Sequence, residues 1–227
     1  MTLILHHLET SRSMRILWLL EELGLDYELK TSQRDPKTMF GPADHQKLHP
    51  QGSWPLIQDG DLTLPESGAI VEYVINKAGA ESWRRTPDQA DWPDYLRWMH
   101  FAEATLQPYL LMHLVFSKLP KQAPAMARPI VSKVKEGVEG FIINPKVELY
   151  MKMIEAHLTG KDSFLEGGLT GADVMMIFPL ESVFARIDDA GKKYPNTKKY
   201  VQGIHGRPAF KAALEKGGEY KLAPLQD

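Results

Sequence analysis

The chain has 227 residues, 43% of them hydrophobic and 25% charged, with a formal net charge of -2 at pH 7. That balance fits one large or two small globular domains and gives no electrostatic reason to expect nucleic acid as a partner. There is no cysteine, which excludes disulfides, thiolate metal sites and a protein thiol as nucleophile, so any sulfur chemistry must use a ligand's sulfur.

Thr2 to Leu8 is a short apolar run of strand character. After the polar break Glu9 to Ser13, the residues Ile16, Leu17, Leu19, Leu20 and Leu23 set a helical period that Gly24 closes. Tyr27 to Thr31 predicts a second strand. Gln33 to Gln51, punctuated by Pro36, Gly41, Pro42 and Pro50, predicts a loop-rich connection with one short irregular helix. Pro55 begins a strand over Leu56 to Gln58, Asp59-Gly60 is a hairpin turn, and Leu62 to Leu64 predicts the returning strand. A helix then opens at Glu66-Ser67 and runs to about Lys77. Strand, helix, strand, hairpin and helix make a small four-stranded sheet with helices packed on it.

Gly79 to Pro93 is polar and without period, which places the domain junction there. Beyond it the pattern is helical. Tyr95, Trp98, Met99, Ala102, Leu106, Tyr109, Leu110 and His113 share one face, and further helices are expected over 129–141 and 145–158, each with proline in its first turn. Thr170 and Asp173 have the spacing of a capping box before the apolar run Val174 to Ile187. Pro179 lies inside that run and should kink it or cost about 3 kcal/mol. A last helical stretch, Thr197 to Lys216, is interrupted at Gly206-Arg207-Pro208.

The chemistry concentrates in Pro50 to Tyr73. The first N–H groups of a helix have no intrahelical partner and sit at the positive end of its dipole, so a ligand carboxylate can settle on them beside Ser67 while Glu66 meets an ammonium. One α-amino-acid head group needs both. His45 and His49 stand four apart, but with prolines nearby and no third ligand, no metal is expected. Arg12 and Arg15 suit either an anionic ligand or an inter-domain ion pair. Glu103, an acid amid apolar neighbours, needs a partner.

Five patterns in order, Ser11-Arg-Ser-Met-Arg15 leading into Ile16 to Leu25, His49 to Pro55, Pro65 to Tyr73, Thr170 to Asp173 and Arg207 to Phe210, resemble those of the cytosolic glutathione transferases, most closely the serine-type fungal and bacterial branch. The resemblance implies an α/β thioredoxin-like domain over residues 1–84 that binds glutathione, and an all-α helical domain over 85–227 that contributes the electrophile pocket. It implies that Pro55 is the family's cis-proline, that Trp54 presents its backbone to the cysteinyl part of glutathione, and that Glu66 and Ser67 hold the γ-glutamyl head group. It makes Ser11 the catalytic hydroxyl, donating to the glutathione sulfur rather than acting as a nucleophile; Thr10 and Ser13 are its competitors. Met99 and Glu103 are the expected contributors to the electrophile pocket. Two departures stand out: Trp54, where a small aliphatic is common, and Ser53, where several relatives carry lysine. The glycine carboxylate then falls to the Met39-Phe40 loop, Lys47 or Gln51.

The expected activity is detoxifying transfer of glutathione, as co-substrate and without a metal, to a small hydrophobic electrophile. The alternatives are a glutathione-dependent peroxidase or disulfide reductase at the same site, and a non-catalytic ligand- or protein-binding module of the same fold. Met1 to His7 lacks the charged start and apolar core of a signal peptide, and no apolar run is long enough to span a bilayer, so a cytoplasmic protein without a membrane partner is expected. The resemblance also implies a homodimer.

Overall fold

The computed structural model describes residues 2–222. Four strands, β1 (Leu3–Leu8), β2 (Tyr27–Ser32), β3 (Leu56–Asp59) and β4 (Leu62–Pro65), form one sheet in the order β2-β1-β3-β4. β1 runs parallel to β2 and antiparallel to β3, with Leu5 registered against Leu29 on one side and Ile57 on the other. Because side chains alternate across a strand, Leu3, Leu5 and His7 share one face while Ile4 and His6 share the other. The first face meets helix α1 (Met14–Glu22). On the second, His6 meets His45 of a single-turn 3-10 helix, Ala43–Lys47, the short irregular helix expected from the sequence.

α1 is leucine-rich and almost wholly buried, from Met14 to Leu20. It ends in a Schellman motif: Gly24 takes φ +61°, its N–H bonds the Glu21 carbonyl, and the Leu25 N–H bonds the Leu20 carbonyl. Helix α2 (Ser67–Lys77) follows β4 directly, and its far end is tied to the hairpin because Asp59 accepts the Tyr73 hydroxyl at 2.6 Å and pairs with Lys77 at 2.7 Å.

The remainder is helical: α3 (Trp92–Phe101), α4 (Gln107–Gln122), α5 (Arg128–Val138), α6 (Asn144–His157), α7 (Gly171–Arg186), the short α8 (Ala190–Lys193), α9 (Pro195–His205) and α10 (Pro208–Gly217). α5 and α6 were expected as separate helices, and the structure corrects this. A π-helical turn, Glu139–Ile143, joins them, just as Ala102–Leu106 joins α3 to α4. Each π turn ends two residues before a proline, Pro145 or Pro108. Widening the helix there relieves the clash of the ring with the carbonyl four residues back, so the proline bulges the helix without ending it.

α7 is the hub, buried from Gly171 to Val183 and packed against α1, α2, α3, α4 and α9. Thr170 and Asp173 form the expected capping box, the Thr170 N–H donating to Asp173 at 2.7 Å. Pro179 is carried inside the helix. Its missing N–H leaves the Met175 carbonyl without an intrahelical donor, and Arg15 of α1 supplies one, Nη1 donating to that oxygen at 2.8 Å. Among the described residues no helix is long and apolar enough to cross a membrane.

Candidate functional site

Two helix starts define the site. At the first, the β1–α1 turn carries three hydroxyls. Thr10, with φ 47°, donates its hydroxyl to the Glu219 carbonyl at 3.0 Å, and its N–H reaches the same oxygen at 3.1 Å, so the segment after α10 is strapped to this turn. Ser13 is wholly buried, its Oγ 2.8 Å from His7 Nδ1 and 3.0 Å from the Leu8 N–H donor. Ser11 is 5% exposed; its Oγ accepts the Ser13 N–H at 3.1 Å and lies 2.7 Å from Ser13 Oγ. Thr10's proton is thus spent on a backbone carbonyl, whereas among the described residues Ser11's only side-chain partner is another hydroxyl.

The same turn is clamped to the second domain. Glu103, in the π turn between α3 and α4, takes Arg12 on one carboxylate oxygen at 2.7 Å and the fully buried Arg15 on the other. Burial would push Glu103 up, but the two guanidinium groups outweigh it and hold the carboxyl below its ordinary range. Phe178 of α7 lies beneath both arginines, its ring centre 6.0 Å from Arg12 and 5.7 Å from Arg15. Of the two roles open to these arginines, the inter-domain ion pair is the one the structure contains.

At the second helix start, Glu66 has φ 73° and ψ 115°, a conformation that non-glycine residues rarely take. It aims its carboxylate toward Gln51, whose Nε2 donates at 2.5 Å. Ser67 opens α2. Its hydroxyl is buried and has no hydrogen-bond partner among the described residues, an arrangement that is costly unless something else supplies one. Beside it lies a cavity of about 460 Å3 with Glu66, Gly68 and Ala69 on one wall and Met99, Glu103 and Met175 on the other. Met99 and Glu103 therefore line the same cavity as Glu66, while Ser11, Trp54, Pro55 and Ser67 do not contribute to its lining.

Between the two lies the Trp54-Pro55 bond, which is cis. The Trp54 indole stacks on His45 at 3.8 Å between ring centres and 12° between planes, and His45 donates from Nε2 to the Ser53 carbonyl at 3.0 Å. The Trp54 indole packs over Gly41, where even a β-carbon would come within 2.5 Å of the ring. Ser53 is thereby engaged through its carbonyl. Of the residues considered for a glycine carboxylate, Gln51 is bonded to Glu66, and the Met39-Phe40 loop is held by Arg34, which donates to the Met39 carbonyl at 2.9 Å and leaves Phe40 76% exposed. Arg34 gave no signal in the sequence; Gly41 stood out there only as a break in the loop, and His7 only as the neighbour of His6 on opposite faces of a strand, which made joint metal ligation unlikely. Among the described residues, no three His, Asp or Glu side chains gather as a metal site.

Residues 1–76 match the family model described as glutathione S-transferase, N-terminal domain, and residues 103–208 match glutathione S-transferase, C-terminal domain. Glutathione S-transferase 3 of Schizosaccharomyces pombe is 34% identical over 99% of this chain and 92% of its own length. The chain belongs to the glutathione S-transferase family. Glutathione S-transferase 1 of Saccharomyces cerevisiae is 30% identical over 93% of each sequence. A crystal structure of a glutathione S-transferase from Actinobacillus pleuropneumoniae aligns with a TM-score of 0.79 at 32% identity, covering 97% of this chain and 95% of that one. The fold is that of the glutathione S-transferases, with a four-stranded mixed sheet and its helices followed by an all-helical domain.

Proposed function

We propose that this enzyme activates the thiol of glutathione for attack on a hydrophobic electrophile, and that the head group of the tripeptide is held at the start of α2. The observation that carries the reading is the Ser67 hydroxyl, buried and without a partner among the described residues, next to Glu66, whose backbone is held at a positive φ. A γ-glutamyl group satisfies both: its carboxylate takes the Ser67 hydroxyl and the unpaired N–H groups of the helix start, and its ammonium meets Glu66. The backbone at Trp54 then runs beside the cysteinyl part, as the family resemblance implies.

At the other end, Ser11 donates its hydroxyl proton to the sulfur. A free thiol ionises at about pH 8.5, so only a few per cent is anionic at neutral pH; one directed hydrogen bond and the positive start of α1, with Arg12 beside it, favour the anion. The thiol proton leaves to solvent. The thiolate attacks the electrophilic carbon, a sulfur–carbon bond forms, and the leaving group departs with the electron pair of the bond that breaks. We assign Met99 to the apolar wall that receives the electrophile. Glu103, with both oxygens taken by arginines, holds Arg12 beside the Ser11 turn.

Calorimetry with glutathione tests the head-group assignment: Glu66→Ala should weaken binding by roughly 10-fold or more, as expected for a charged hydrogen bond. Undiminished affinity would place the head group elsewhere. Ser11→Ala should raise the thiol pKa of bound glutathione and slow turnover of a chloronitroaromatic at neutral pH. Turnover of an organic hydroperoxide alone would move the electrophile from carbon to oxygen.

A further inference from the structure

Three groups around Ser11 determine where its proton rests. His7 Nε2 lies 3.0 Å from the Gly217 carbonyl, which can only accept, so Nε2 carries the hydrogen. Burial lowers His7 to about 4, and the imidazole is therefore neutral at pH 7 with a bare lone pair on Nδ1. Ser13 Oγ, 2.8 Å from that nitrogen, must donate to it. The Leu8 carbonyl, 3.2 Å from Ser13 Oγ, is the longer alternative, and choosing it would leave two lone pairs facing each other across the 2.8 Å contact. With Ser13's single proton spent, the 2.7 Å contact between the two hydroxyls has to carry the proton of Ser11.

We propose that Ser13, oriented by His7, is the resting acceptor of the Ser11 proton, and that this pair sets the acidity of bound glutathione because forming a thiolate takes that proton away. The inference rests on Ser11 being the donor to sulfur, as proposed above. A neutral thiol leaves the Ser11–Ser13 bond intact. A thiolate draws the Ser11 proton to itself and leaves Ser13 Oγ, wholly buried, with the Leu8 N–H as its remaining donor. Ionisation therefore includes the loss of one buried hydrogen bond, so Ser13 and His7 are positioning residues that hold thiol acidity in check. The charged groups near the turn are engaged apart from this relay: Arg12 and Arg15 with Glu103, and Arg34 on the carbonyls of Glu9 and Thr10. Glu9 approaches Gly218, and Glu219 pairs with Lys221 in the strapped segment.

The test is titration of the bound thiol by its ultraviolet thiolate absorbance. Ser13→Ala should lower the thiol pKa by roughly half to one unit, the equivalent of one neutral hydrogen bond. His7→Leu should lower it too, because Ser13 is then free to turn its proton onto Ser11. His7→Asn, which keeps an acceptor near the Nδ1 position, should stay close to wild type. A Ser13 that merely supports the fold would leave the pKa unchanged or raise it, and either result overturns the inference. The unmodified protein offers a check that needs no variant: imidazole nitrogen shifts should report the Nε2–H tautomer of His7 at pH 7, and the Nδ1–H tautomer or an imidazolium would also overturn it. If Ser11→Ala leaves the thiol pKa unmoved, the role of Ser11 itself fails. If Ser11→Ala raises it and Ser13→Ala does not lower it, only the role of Ser13 fails.

Discussion

Ser11 and Ser67 stand at comparable places, one in the turn that leads from β1 into α1 and the other the first residue of α2 after β4, yet they are left in opposite states. Ser67 is buried with nothing to bond, while Ser11 is buried in a chain of hydrogen bonds that runs through Ser13 and His7 to the Gly217 carbonyl. Ser67 can meet a ligand without giving anything up. Ser11 must break a bond to do so. On this reading the α2 end supplies affinity and the α1 end supplies a controlled response of the sulfur, and the two are separable by mutation.

The largest expected effect tests whether the α1 end is rigid because of its clamp. Arg15→Met leaves the Met175 carbonyl without a donor and removes a buried partner from Glu103, and should cost about 3–5 kcal/mol in chemical denaturation. A loss below about 1 kcal/mol would mean that the clamp is not what holds the Ser11 turn. Next in size is pH. His7 is held near 4 by burial against an ordinary 6.5, so between those values the unfolded chain binds a proton that the folded one refuses. Stability from this group is fully present above pH 6.5 and declines toward pH 4, by roughly 3 kcal/mol in all. Asp173 and Glu181 are both raised by burial and act in the opposite sense, so the quantity to measure is the difference in urea unfolding between wild type and His7→Asn at acid and neutral pH. A difference that does not vary with pH would remove the neutral His7 on which the relay depends.

The smallest effect sharpens the contrast most. Ser67→Ala should weaken glutathione binding by about tenfold while leaving the unliganded protein as stable as before or slightly more so, because the hydroxyl it removes bonds nothing. Ser13→Ala should instead destabilise the unliganded protein by about 1–3 kcal/mol, since Leu8 and His7 lose a buried partner. Equal destabilisation by both would erase the distinction between the two ends.

Local pattern made much of this legible. All four strands, α1 with its glycine cap, α2 and the Thr170-Asp173 box lie within a residue or two of where periodicity and capping residues put them. The single face from Tyr95 to His113 already ran through Pro108, but the join of α5 to α6 before Pro145 was not readable, because a proline that starts a helix and one that follows a π turn look alike in sequence. The Glu66-Ser67 helix start was visible as an anion-friendly end, but not the missing partner of Ser67, which depends on what packs around it. Trp54 and Gly41 fit each other across thirteen positions, and Arg15 reaches Met175 across 160, distances at which no period or spacing carries a signal.

Pro179 gives the molecule one more property. The helix it interrupts lacks one internal bond, and the donor that replaces it belongs to the other domain. Neither part is then complete alone: α7 without α1 exposes a carbonyl inside its own core, and α1 without α7 has a buried guanidinium with one acceptor fewer. The two halves should therefore melt together in one transition, and a helical fragment expressed by itself should fold poorly, since the buried apolar residues of both halves form one core.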